Sequence, residues 1–119
     1  MMKFLKKNEL VEIVYNDGIV ELKSKVPMKD DYGTPLPGKY TYQTKTKSWF
    51  RTLGITSQEV IDAKTVDQEL TKKIGIPGNQ EIDTSWRAFI GEKQFELFRC
   101  FYNYKNDETE ISLVEVEVF

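Results

Sequence analysis

The chain has 119 residues, the length of one ordinary domain, and is 39% apolar and 30% charged, a composition that supports a core without staples and excludes a disordered chain. Seventeen basic and nineteen acidic residues leave a net charge of −2, the wrong sign for a protein held to DNA by bulk positive charge. There is no histidine and one cysteine, Cys100, which excludes Ser-His-Asp and Cys-His catalysis, His-ligated zinc or iron and any internal disulfide.

The first seven residues, Met1 to Lys7, hold three lysines with no apolar core behind them, so no signal peptide is expected. No apolar run approaches the ~20 residues of a membrane span. Leu10–Tyr15 and Ile19–Val26 are rich in β-branched residues and flank Asn16-Asp17-Gly18. This predicts a hairpin, because Asn, Asp and Gly tolerate the positive φ of a tight turn. Pro27 to Lys39 contains three prolines and two glycines and reads as a long loop, since proline cannot continue a ladder. Tyr40–Thr46 is a strand or the exposed limb of a long hairpin loop. Ser48–Ile55 is a core strand.

Thr56-Ser57-Gln58-Glu59 is a capping box. It opens a short helix through about Ala63, with Val60, Ile61 and Ala63 as its small apolar face. Val66 to Ile76 is the next strand, closed by Pro77-Gly78-Asn79. Trp86–Ile90 and Gln94–Tyr104 flank a turn at Gly91-Glu92-Lys93. The last strand runs from Glu110 to Val118, with Val114, Val116 and Val118 on its dry side and Glu115 and Glu117 on its wet side. Short strands at roughly ten-residue spacing with one small helix predict a mainly β fold: a single domain over residues 1–119, a small β-barrel or barrel-like sandwich, with a loop over 27–47 protruding.

Charge is divided along the chain. Residues 1–50 hold nine lysines and six acids, a net of +3, and residues 51–119 hold eight bases and thirteen acids, a net of −5. Solvated strand faces produce such a split. So does head-to-tail packing of identical subunits, basic side on acidic side.

The chemistry-bearing residues are sparse. Asp30 and Asp31 are adjacent carboxylates with nothing beside them to complete a ligand set, and Asp107-Glu108 with Glu110 has the look of a hairpin tip. Cys100 sits between Phe98 and Tyr102 at two-residue spacing and has no base to make it a thiolate, so it reads as a buried structural thiol. Gly75-Ile-Pro-Gly78 lacks the Gly-Lys-Ser/Thr end of a phosphate loop. Tyr40, Tyr42, Trp49, Phe50, Trp86 and Phe89, interleaved with Lys45, Lys47 and Arg51, form a candidate base-stacking face with cations; strand aromatics are equally core material. The residues therefore point to a binding or structural protein rather than an enzyme, with no catalytic residue, cofactor or metal.

Three stretches resemble the small head-closure proteins of tailed bacteriophages, also called head-tail adaptors or stoppers. These are Trp49 to Ala63, with Ile55-Thr56-Ser57-Gln58-Glu59 at its bend; Val66 to Asp83; and Trp86 to Leu113, with Gly91-Glu92-Lys93-Gln94-Phe95-Glu96-Leu97-Phe98-Arg99 and Asn106-Asp107-Glu108-Thr109-Glu110-Ile111. Their order and spacing agree over about 65 residues, whereas the first 48 depart from the pattern. The resemblance implies a small β-barrel that joins a ring beneath the packaged head of a phage or prophage. Such a ring closes the DNA-filled head, lets DNA pass without sequence-specific binding, and offers the tail its docking surface. The implied partners are other connector and tail proteins, and the implied location is the virion, or the host cytoplasm during assembly. The candidate channel or docking loop is Asp30, Asp31, Tyr32, Gly33, Pro35, Pro37, Gly38 and Lys39. A tail-terminator or minor capsid protein, and a single-stranded nucleic-acid-binding barrel, remain as alternative readings.

Overall fold

A computed structural model describes residues 12–117. Six strands and one helix follow in the order β1 (Gly18–Lys29), β2 (Pro35–Leu53), α1 (Ser57–Thr65), β3 (Lys72–Pro77), β4 (Arg87–Ile90), β5 (Lys93–Asn103) and β6 (Glu108–Val116). All pairings are antiparallel, and the order β1-β2-β3-β6-β5-β4 closes on itself where β4 meets β1. The mainly β barrel with one short helix expected from the sequence is the fold found. No helix among the described residues is long and apolar enough to cross a membrane.

The interior follows from the two-residue period of the strands. Val20 and Leu22 of β1, Phe50 of β2, Ile74 and Ile76 of β3, Ala88 of β4, Phe95 and Leu97 of β5, and Ile111 and Leu113 of β6 make one buried cluster. Ile82, Trp86, Ile90 and Cys100 pack against it. The parity of β6 differs from expectation. Its dry side carries Ile111 and Leu113, and Glu115 shares that side where the strand leaves the barrel. Val114 and Val116 lie on the outer face, half-buried.

The N-terminal hairpin is placed differently from the sequence reading. Residues 12–16 are not a strand, and residues 1–11 lie outside the described ones. Instead β1 pairs with β2, and the stretch read as a long loop is mostly ladder: Lys25 faces Tyr42, Pro27 faces Tyr40 and Lys29 faces Pro35. The prolines are tolerated because β1 has no neighbour but β2 beyond Lys23, which faces Arg87 at the start of β4. A residue on a free edge can point its missing N–H outward at no cost. The protrusion over 27–47 is therefore a two-stranded arm. About six residues of β1 at ~3.3 Å each carry its tip ~20 Å past the barrel. The arm explains a radius of gyration of 17.3 Å, against about 13.5 Å for a compact chain of this length.

Smaller differences have local causes. The strand expected from Val66 starts at Lys72, because the chain leaves α1 through Asp67 at φ 58°. The capping box forms as read: the Thr56 hydroxyl accepts from Glu59 N–H, and Glu59 Oε1 accepts from Thr56 N–H. The face of α1 is the expected one only at Ala63. Glu59 and Ala63 are buried, whereas Val60 and Ile61 face solvent at 38% and 59% exposure.

Candidate functional site: the arm and the ionic layer

The eight candidate loop residues stay together at the outer end of the arm, and they divide into a turn and a kinked start of β2. Asp30 builds the turn. Its Oδ1 accepts from the N–H groups of Tyr32 and Thr34, both at 2.9 Å, and its carbonyl accepts from Gly33 N–H at 3.0 Å. Gly33 closes the turn at φ 82°, a left-handed position that glycine fills without strain. Asp30 is thereby engaged by the backbone, while Asp31 and Tyr32 stand free at the tip, Tyr32 at 93% exposure. Pro35, Pro37, Gly38 and Lys39 lie in β2. Gly38 takes φ 72° within the register shift between Pro27 and Lys29.

One face of the arm runs continuously onto the barrel. Register places Lys23 and Lys25 of β1 beside Tyr42 of β2 and Arg87 and Phe89 of β4. Lys23 Nζ lies 4.4 Å above the Phe89 ring, Lys25 Nζ 5.1 Å above Tyr40, and the Arg87 guanidinium 5.8 Å above Tyr42. Tyr42 meets Phe89 edge-to-face at 5.1 Å. These cation–π contacts settle what the stripe can recognise. One face of each of these three rings is taken by the chain's own cation, which leaves less of it to stack on a base. The outward N–H groups of those cations can donate to anionic partners.

Of the candidate base-stacking set, Tyr40, Tyr42, Trp49 and Phe89 share this outer face. Phe50 is core, Trp86 packs against the core, and Arg51 is committed elsewhere. Trp49, 53% exposed, and Phe89 border a groove completed by Gly18, Ile19, Glu21, Lys23 and Lys47.

Sequence reasoning missed an ionic layer on the outer face of β2, β3 and β6. Glu108 is fully buried and receives both Nε and a terminal nitrogen of Arg51, at 2.6 and 2.8 Å. One strand over, Lys73 Nζ lies 2.9 Å from Glu59 and 3.2 Å from Glu110. Ser112 donates to Glu59 at 2.9 Å and Asn103 to Glu110 at 2.9 Å. Burial alone would raise the Glu59 carboxyl. The Lys73 ammonium, the Thr56 N–H and the Ser112 hydroxyl outweigh burial and hold it down at about 2. Lys73 moves the other way, since its two carboxylates overcome its own burial and raise it. The Tyr15 hydroxyl is pushed up to about 12 by burial and by the neighbouring Glu108 charge. One signal was present in sequence: a lysine inside the otherwise strand-like Lys72-Lys73-Ile74-Gly75-Ile76.

This layer lies wholly within the acidic half: Glu108 and Glu110 are neutralised by Arg51 and Lys73 of the same half, and Asp107 accepts the Tyr102 hydroxyl at 2.5 Å. Cys100 is half-buried, and burial pushes its thiol up to about 11.

No family model matches the sequence, and no curated protein matches it. Solved structures do. The chain is similar to protein SF1141 from Shigella flexneri 2a, with a TM-score of 0.64 and 15% identity over 88% of this chain and 96% of that one. It is also similar to a chain in the virion of a native gene transfer agent particle, with a TM-score of 0.51 and 12% identity over 84% of this chain and 94% of that one. At these identities the likeness is one of fold.

Proposed function

We propose that this protein is a structural component of a tailed-phage or prophage virion, a head-tail connector part that closes the DNA-filled head and offers a docking surface to the tail. The observation that carries the reading is the fold shared with a virion chain over 84% of this chain and 94% of that one. The ordered resemblance of residues 49–113 to head-closure proteins agrees with it. In this reading the protein is not an enzyme. It works as one of several copies in a ring, contacts other connector and tail proteins, and lets DNA pass without sequence-specific binding. The arm is the element with reach, and its tip residues Asp31 and Tyr32 are free to meet a neighbour.

Electron microscopy of particles from an induced host lacking the gene tests this. Empty or leaking heads beside separately assembled tails are the expected result. Complete, DNA-filled, tailed particles would overturn it. Shortening Asp31–Gly38 in the intact gene should leave the barrel folded and impair DNA retention or tail joining.

A further inference from the structure

The arm poses a physical problem that its own chain does not solve. A two-stranded ribbon alone in water is marginal, and this one leaves Met28 and Tyr40 at 44% and 51% exposure. Its edges are unsuited to receiving another strand, because Pro27, Pro35 and Pro37 remove donors and lysines line both sides. What remains to be covered is a face, and that face carries Lys23 and Lys25. Residues 23–47 hold six lysines and two aspartates, a net of +4; Lys23, Lys45 and Lys47 sit at the root beside the barrel, and the part beyond it, residues 24–43, has a net of +1.

The opposite end of the same molecule has the complementary sign. There β1, β3 and β5 begin and β2, β4 and β6 finish. Asp67 and Glu69 lie on the approach to β3, Glu92 in the β4–β5 turn, and Glu115 and Glu117 at the exit of β6, all exposed. The hydroxyl of Thr71 accepts from Glu115 N–H and ties the β3 approach to the β6 exit, so these acids form one collar. Lys64, Lys72 and Lys93 only partly offset them, and Lys93 Nζ is 3.8 Å from Glu115. A molecule 66 Å long with a basic arm at one end and an acidic collar at the other has the two unlike patches that a head-to-tail contact requires.

We infer that the arm docks through its Lys23, Lys25, Tyr40 and Tyr42 face on the Glu69–Glu115 collar of a second copy of this chain. This deepens the ring of the proposed function, and rests on that reading only in taking copies to assemble. The cation–π contacts hold Lys23 and Lys25 in place before docking, Lys23 also lying 3.9 Å from Glu21, which reduces the side-chain entropy lost when Lys25 meets a carboxylate and Lys23 a second one. The contact is electrostatic and therefore sensitive to salt.

A charge exchange tests it with full-length protein in sedimentation experiments at low ionic strength. Wild type should associate as concentration rises, and 0.5 M salt should weaken this at least tenfold. Lys25→Glu and Glu69→Lys/Glu115→Lys should each be at least tenfold weaker, with unchanged unfolding midpoints. Mixing the two variants should restore association, because each then offers the end the other has lost. Wild type monomeric up to about 1 mM, or a mixture no better than its parts, would overturn the inference. So would salt-sensitive binding of a fluorescent 30-base-pair duplex that the lysine variant alone abolishes, which would make the arm a phosphate reader. None of these results bears on the particles lacking the gene, so this surface and the virion reading fail separately.

Discussion

Gly75→Ala adds one methyl group at a strand position with no special backbone demand, yet it should be among the most damaging small substitutions in the molecule. A Cβ there would lie 2.6 Å from Glu108 Cδ and 3.0 Å from Cγ, and closer still to Oε2. Glu108 has no free rotamer to retreat to, since it is fully buried and held through both carboxylate oxygens by Arg51. The methyl must therefore displace a buried carboxylate from its partner. Breaking such a pair costs about 3–5 kcal/mol, and the partial exposure of Arg51, whose side chain is 29% accessible, argues for the lower end. With an m-value of about 1.5 kcal/mol per molar, ~3 kcal/mol lowers the urea midpoint by roughly 2 M, read from tryptophan fluorescence. The double variant Gly75→Ala/Glu108→Ala separates the causes. Once Glu108 is truncated the methyl has room, so the double variant should be no less stable than Glu108→Ala alone. A loss below ~0.5 kcal/mol for Gly75→Ala, or strictly additive losses in the double variant, would refute the reasoning.

Acid should act on the neighbouring ion pair. The Glu59 carboxyl sits at about 2 in the fold against an ordinary 4.5. A depressed carboxyl stabilises fully above its unfolded value, and that contribution is lost as pH falls from about 4.5 toward 2. At about 1.4 kcal/mol per unit the contribution is on the order of 3 kcal/mol. Glu59→Gln should be less stable at neutral pH and show a flatter decline below pH 4.5; parallel curves for the two proteins would contradict the assignment. Cys100, with its thiol pushed up to about 11 by burial, should react with a disulfide reagent at pH 8 at least a hundredfold more slowly in the native protein than in urea, and near-equal rates would mean that the strand is open.

Much of this architecture is legible in the sequence where local chemistry and burial agree. The capping box at Thr56, the turn at Gly91 and the alternation through Phe95 and Leu97 all declare themselves, because each is set by a few adjacent residues. The errors arise where a partner distant in sequence decides. Asn16-Asp17-Gly18 carries hairpin chemistry, but Asp17 instead accepts Thr52 N–H at 2.7 Å and holds the chain beside β2. Proline argues against a ladder only when both edges of a strand are occupied, and no local pattern reveals that the arm's edges are free. Val60 and Ile61 satisfied the helical period, yet the helix buries Glu59, paired with Lys73, and leaves both of them exposed. The same is true of the basic stripe: its lysines and tyrosines are visible individually, but only register places a cation above each ring.

The hairpin is joined to the rest of the barrel by two short ladders. β1 meets β4 over Glu21–Lys23, and β2 meets β3 over Arg51–Leu53, three rungs on each flank, whereas β5 and β6 pair along nearly their full lengths. In mechanical terms the hairpin is a lever set in a socket. A pull along its axis loads those rungs together in shear. A sideways push at Tyr32, ~20 Å out by strand length, peels one flank a rung at a time. Whatever holds the tip therefore also governs how firmly the barrel stays shut.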